Sequence, residues 1–346
     1  MPQSKTVLRI ISMPISKRNR WIYWIKLLAG IALVVVLFQE INRRESILSV
    51  LQETDLANIL LCIMLLIPNI FLAFLKWRYL LRRRYQDTTS YEVFGSLLFG
   101  YTLGLVTPGR LGELARGLFF TNKDRLIITG LNLLDKAANQ IVIFTLGGIS
   151  LGFMILNQNI WEVKNILPLL LTGSLIIIIS WLIILNPDKA RRLLAFLNSK
   201  LPRKFNFSTL ISAYDQISLK DILVVVGLTL AWFIVIVLQY HILVLAFTDA
   251  AFTESFQAVT AMLFVKTLVP LTFGDLGIRE GVSVFFYSQF GVSQAAVFNA
   301  SLLIFLINFL TPALSGLYYV LQVKTTNGLS EEASLDQSSK ETAADI

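Results

Sequence analysis

A chain of 346 residues that is 55% hydrophobic and only 15% charged, with a mean hydropathy of +0.68, excludes an ordinary soluble domain, in which roughly a quarter of the residues are charged. The net charge of +8 would point to nucleic acid in a soluble protein, but Lys and Arg gather here between apolar runs, where they set topology and meet anionic head groups, so no nucleic-acid partner is expected. With one cysteine (Cys62) and one histidine (His241), the chain can form no intrachain disulfide and has no ligand set for zinc or haem; no metal or other cofactor is expected.

Residues 1–20 carry five basic residues and no acid, a leader suited to the cytoplasmic membrane surface. The apolar stretch from Ile22 to Phe38 follows Lys17, Arg18 and Arg20, as in a signal peptide. The residues after it, Gln39, Glu40, Ile41 and Asn42, offer no small-residue cleavage site, so the stretch reads as an uncleaved span over 21–40. Further full spans are predicted at 56–81, 127–156, 164–185, 221–247 and 294–321, each reaching the roughly 17 to 25 residues that cross a bilayer. Two more apolar segments, 91–120 and 256–290, are broken in the middle. The first contains Thr107-Pro108-Gly109-Arg110-Leu111-Gly112-Glu113, and the second Val269-Pro270-Leu271-Thr272-Phe273-Gly274-Asp275-Leu276-Gly277-Ile278-Arg279-Glu280-Gly281. Residues 323–346 are Ser-rich and acidic and read as a disordered cytoplasmic tail.

Charge places the loops. The stretch 76–84 (Lys76, Arg78, Arg82, Arg83, Arg84) and the loop 186–220 (Lys189, Arg191, Arg192, Lys200, Arg203, Lys204, Lys220) belong in the cytoplasm by the positive-inside rule. Residues 157–163 and 248–255 carry no Lys or Arg, as external loops should, while 42–55, with Arg43 and Arg44, fits less well. Both basic stretches stay inside only if 91–120 and 256–290 each enter and leave on one side, as re-entrant hairpins or tight helix pairs. The fold class expected is therefore an all-α membrane protein of about six full spans plus two broken-helix hairpins. Its halves, 21–156 and 164–321, form a repeat of opposite topology, with Gly109-Arg110-Leu111-Gly112 matching Gly274-Asp275-Leu276-Gly277. Inverted repeats with broken helices near the midplane are a transporter signature. No Walker A, GxGxxG or HExxH sequence is present, which argues against an enzyme, and the sequon at Asn206 falls in a predicted cytoplasmic loop.

Nine charged residues fall within or beside the membrane segments: Arg110, Glu113, Arg116, Asp135, Lys136, Lys266, Asp275, Arg279 and Glu280. Each costs about 2.5 to 3.5 kcal/mol at the centre of a lipid-facing helix, so they must pair, line a wet cavity or lie shallower. Arg110 follows Pro-Gly where a new helix should start, and Arg279 stands in the matching half-helix. Two half-helix N-termini carrying arginine forks suit a phosphate or carboxylate, with Gly109 and Gly274 letting the backbone approach. The competing reading pairs Arg110 with Glu113 and Arg279 with a neighbouring acid; for Glu113 and Glu280 pairing is the stronger of the two. Asp135 needs a partner, for which Lys136, Arg110 and Lys266 are candidates. Glu113, Asp135, Lys136, Lys266, Asp275 and Glu280 are the candidates for coupling a proton or a charge movement to transport. Asn132, Asp135 and Asn139 share one helical face, as do Asn308, Thr311 and Ser315; such stripes either line a cavity or join helices. His241 reads as a packed, hydrogen-bonded residue, Gly100/Gly104 and Gly148/Gly152 as close helix packing, and Trp21, Trp24 and Trp161 as interfacial residues.

The first broken turn with Arg116, the pair Asp135-Lys136 and the second broken turn together resemble the flippase-like transmembrane domain of the lysylphosphatidylglycerol synthases, or multiple peptide resistance factors. The resemblance covers about residues 20–322. In fused members a soluble aminoacyl-transferase domain follows, and the membrane part moves aminoacylated lipid between leaflets. Here only residues 323–346 follow the last predicted span, so the resemblance implies a stand-alone member in a bacterial plasma (inner) membrane, with both termini cytoplasmic. It implies translocation of an anionic or aminoacylated lipid. Two other classes stay open: a membrane-embedded transferase using Asp135 or Glu113, and a non-transporting helper of a partner enzyme.

Overall fold

The computed structural model describes residues 17–52, 54–107, 109–158, 163–200, 208–268 and 275–323. Gly274, Pro108, Pro270, Trp161, the Asn206 sequon and most of both tails lie outside them, as do the side chains of Trp21 and Trp24.

Among the described residues all regular structure is helical. Helix α1 spans Lys17–Asn42, and the short α2 spans Ile47–Gln52. Helices α3 (Leu56–Met64) and α4 (Leu66–Arg84) form one rod with a hitch at Leu65, where Pro68 lacks the N–H that would bond back to Met64. Helix α5 (Ser90–Leu105) opens with a capping box between Thr89 and Glu92 and is followed by a 3-10 stretch at Leu111–Phe119. Helix α6 spans Arg125–Gln158, α7 Val163–Ile184, α8 Pro187–Lys200 and α9 Ser208–Ile211. Helix α10 (Leu219–Leu245) starts at a second capping box, Ser218 with Asp221. Helices α11 (Phe252–Leu268) and α12 (Ile278–Ser288) flank the second broken turn, and α13 begins at Gln294–Phe305.

Four helical stretches are long and apolar enough to cross a membrane: Leu56–Arg84, Arg125–Leu156, Leu219–Leu245 and Gln294–Val323. The end of α7 and α8 make a fifth candidate that bends by 104°. Side chains such as Leu60, Ile67 and Phe71 on the α3–α4 rod and Leu171, Leu175 and Leu182 on α7 present their apolar surface outward. Exposed apolar surface on this scale is stable against lipid rather than water. With the family assignment reported below, it makes the chain an integral membrane protein. The expected basic loop 186–220 is in part helical, because α8 and α9 both lie in it.

The last span contains a π-turn at Leu306–Leu310, closed by the Thr311 N–H on the Leu306 carbonyl. Pro312 explains it: its ring cannot donate to Asn308 and would clash with that carbonyl, and one extra residue in the turn relieves both problems. Asn308 points inward from this turn and exchanges hydrogen bonds of 2.7 and 2.8 Å with Gln239 on α10, which in turn accepts one of 2.8 Å from Asn69 on α4. Three helices are thus joined by amides in an apolar interior. Thr311 and Ser315, expected on the same stripe, turn their hydroxyls onto their own helix backbone instead.

Candidate functional site: a charged cavity between two broken hairpins

The first hairpin folds back on itself. A Cβ at Gly104 would meet the Glu113 side chain, one at Gly100 the Arg116 side chain, and one at Gly95 the ring of Phe119. The pair Gly100/Gly104 thus marks close packing against the 3-10 helix, as expected, and makes room for two of its charged side chains inside the hairpin. Of the second pair, Gly148 packs closely against the Ile177 side chain, while Gly152 has no described neighbour within contact distance. Thr107 ties the turn, its hydroxyl accepting from the Gly112 N–H at 2.6 Å and donating to the Leu103 carbonyl at 2.9 Å. The second hairpin is closed by Lys266 at 2.9 Å from Asp275, and α12 is capped by Glu280, which accepts from the Gly277 N–H at 2.6 Å. Arg279 is the second residue of that helix.

Between the hairpins lies a cavity of about 280 Å³, walled by α4, α5, α6, α10, α11, α13 and both turns. It brings together Gly109, Arg110, Glu113, Asp135, Lys136, Lys266, Asp275 and Arg279. Glu280 is fully buried, holds Arg279 as an ion pair, and does not line the cavity. Gly274 lies outside the described residues.

Charge is unevenly shared between the halves. In the first, Glu113 is bound by Arg110 at 2.5 Å, by Arg116 at 3.7 Å and by Lys136. Asp135 is bound by Lys76 at 2.8 Å and Arg116 at 3.2 Å. Four cations thus share two carboxylates, an excess of two formal positive charges. In the second half Lys266 and Arg279 balance Asp275 and Glu280. Aromatic faces help to hold the cations: Arg110 lies 4.3 Å from the ring centre of Phe309, Lys76 5.5 Å from Trp232, and Arg116 5.1 Å from Trp77. Phe309 belongs to the π-turn, so the irregularity forced by Pro312 is what seats Arg110.

Two expectations need correction. The partner of Asp135 is neither Lys136, Arg110 nor Lys266 but Lys76 and Arg116. Neighbours on a helix do not face each other, so Lys136 points past Asp135 and takes Glu113. Lys76, grouped above with the cytoplasmic basic stretch, is 3% exposed and faces the centre of the molecule, while Arg82, Arg83 and Arg84 stay exposed. Lys76, Asn139 and Gln140 are cavity residues the sequence reading did not select as site residues. The signal for Lys76 is spacing, since it stands six residues before Arg82 and thus nearly two turns deeper in the rod. Asn132 donates to the Glu113 carbonyl and Asn139 accepts from Lys76, each at 2.5 Å, so the α6 stripe both joins elements and lines the cavity. His241 is packed as expected, 3.0 Å from the Ser255 hydroxyl.

The arrangement concentrates a surplus of positive charge in a cavity whose two first-half carboxylates are already paired. In comparisons with known proteins, the family model described as the lysylphosphatidylglycerol synthase TM region matches residues 23–316. Searches of curated proteins and of solved structures find no match.

Proposed function

We propose that this chain, which belongs to the family of the lysylphosphatidylglycerol synthase transmembrane region, moves an anionic or modified lipid between leaflets by seating its head group between the two hairpins. Membership ties it to membranes and lipid metabolism. The observation that carries the finer reading is the excess of two positive charges around Glu113 and Asp135 in a cavity lined by both turns. At about 280 Å³ the cavity is near the lower end of ligand pockets, roughly 300 to 1,000 Å³, and takes a head group while the acyl chains stay in the bilayer.

In this reading the inverted repeat has six spans, α1 and α7 completing the four long rods, and the hairpins are re-entrant. The plasma membrane is the site, and both termini face the cytoplasm. Arg110 and Lys136 contact the anion beside Gly109, Arg279 shapes the opposite wall, and Gly274 is the counterpart of Gly109. Asp135 and Glu113 organise the cations. Asp275 with Lys266 is the pair best placed to change partners during transport. A transferase using Asp135 or Glu113 as a base is disfavoured, because each carboxylate is already engaged by two or more cations. A helper role for a partner enzyme predicts no intrinsic lipid movement.

The test is leaflet-to-leaflet movement of a fluorescent phospholipid in proteoliposomes holding the purified chain. Movement that falls at least tenfold in folded Arg110→Gln and Lys136→Gln variants supports the reading. Normal movement in both removes the head-group site, and no movement in the wild type leaves the helper role.

A further inference from the structure

We infer that the cavity is built for a head group ending in a phosphomonoester, with about two negative charges on one compact group, in preference to a singly charged phosphodiester. This rests on the function proposed above and narrows it. The excess of positive charge lies wholly in the first half of the site, where Lys76, Arg110, Arg116 and Lys136 share Glu113 and Asp135. The second half is balanced. A monoanion leaves one buried cation uncompensated, whereas a phosphomonoester, carrying about −1.5 to −2 near neutral pH, closes the balance.

The geometry agrees with the charge. Lys76 and Arg116 have side chains only 4% and 3% exposed, so they act as the rear support, while Arg110 and Lys136 are 33% and 32% exposed toward the space between the hairpins. Arg110 gives Nε and Nη2 to the same Glu113 oxygen, at 2.6 and 2.5 Å, and Nη1 lies outside that pair. One turn beyond Lys136, Gln140 lines the same cavity, and its buried Nε2 has no hydrogen-bond partner. A buried amide donor without an acceptor is rare in a folded protein. A terminal phosphate has three free oxygens, enough to meet Arg110, Lys136 and Gln140 at once; a diester has two.

The experiment measures binding of phosphatidic acid and phosphatidylglycerol with identical acyl chains to the purified full chain, by native mass spectrometry and by shift in melting temperature. Inorganic phosphate and glycerol 3-phosphate serve as soluble competitors. The expected result is at least tenfold tighter binding of phosphatidic acid, reduced to within about threefold of phosphatidylglycerol in Lys136→Gln and kept in Lys136→Arg. Gln140→Leu should weaken phosphatidic acid several-fold and leave phosphatidylglycerol nearly unchanged. Equal binding of the two lipids by the wild type, or a preference that survives Lys136→Gln in folded protein, overturns the inference while the anionic-lipid site stands. Failure of both lipids to bind removes the site and the proposed function together. Displacement by inorganic phosphate at the affinity of phosphatidic acid keeps the phosphomonoester chemistry but assigns it to a soluble ligand.

Discussion

Arg110 and Asp275 occupy the same position of the two broken turns, and both adopt the left-handed backbone conformation, with φ of 58° and 61°. Among the described residues they are the only ones other than glycine to do so. Each is the second residue of a Gly-x-Leu-Gly sequence, and both line the same cavity with opposite charges. The four-residue match thus has a conformational counterpart, which supports the repeat more strongly than the letters alone.

Left-handed backbone costs an L-residue about 1 to 2 kcal/mol, least for Gly and Asn and most for β-branched side chains. Arg110→Gly and Asp275→Asn should therefore fold at least as well as Arg110→Val and Asp275→Val, with the valine variants melting several degrees lower. Equal melting temperatures within each pair would argue that the turns do not hold this conformation.

Lys76 and Asp135 form a pair buried on both sides, 2.8 Å apart. Removing one member of such a pair typically costs about 3 to 5 kcal/mol, because the other charge is left without compensation. Asp135→Asn should be severely destabilising, because Lys76 and Arg116 both lose its charge, whereas Lys76→Met should cost less, because Arg116 still holds Asp135 at 3.2 Å. The double variant should recover a substantial part of the loss, which a double-mutant cycle on thermal stability in detergent would measure. Additive losses would mean that the two do not interact.

Close approach should make glycines unequal. A side chain at Gly112 would run into the Leu103 carbonyl, and one at Gly316 into the Leu98 carbonyl, whereas Gly152 and Gly227 face open space. Gly112→Leu and Gly316→Leu should lower folded yield strongly, while the same change at Gly152 or Gly227 should not. Gly277 should also resist substitution, through its φ of 82° and the neighbouring Leu33 side chain.

The loop after α1 offers a pH test outside the membrane segments. Burial alone would raise the Glu45 carboxyl, but hydrogen bonds from the Ser293 hydroxyl and the backbone N–H groups of Ala295 and Gln294 outweigh it and hold the group below its ordinary value. A depressed carboxyl contributes stability that is fully present above its unfolded value, about 4.3, and is lost as pH falls through the lower folded value. Glu45→Gln should lower the melting temperature at pH 7, and the difference from wild type should shrink in acid. A difference independent of pH down to about 3 would rule this out.

Topology can be checked by labelling. Cys62 is fully buried and can be replaced, leaving single cysteines at the exposed positions 199 and 253. Ser199→Cys should resist an impermeant reagent in intact cells and Thr253→Cys should react. The reverse pattern would end the inverted-repeat scheme.

Much of the site is legible in the sequence because charges within apolar segments are conspicuous. Arg110, Glu113, Asp135, Lys136, Lys266, Asp275 and Arg279 stand out for that reason, and the structure gathers them around one cavity. What is less legible is which charge meets which. Lys76 merges into a basic run that ends in the exposed residues Arg82, Arg83 and Arg84, and only the three-dimensional approach of α4 to α6 shows that it serves Asp135. Uncharged contributors such as Gln140 carry no pattern that separates them from helix-joining amides. The 3-10 form of Leu111–Phe119 and the π-turn before Pro312 also escape an apolar-periodicity reading, which distinguishes span from loop but not one kind of helical turn from another.

The uneven charge of the two halves also has an electrical meaning. A positive charge carried through the whole membrane field changes energy by about 2.3 kcal/mol for each 100 mV. Two uncompensated charges on the first half would make the empty protein sensitive to voltage by roughly twice that, whereas a dianion seated among them would cancel the dependence. If the first half moves relative to the field, an inside-negative potential acts on the return of the empty site and leaves the loaded step untouched. The resting voltage of the cell would then set the direction in which the vacant cavity waits.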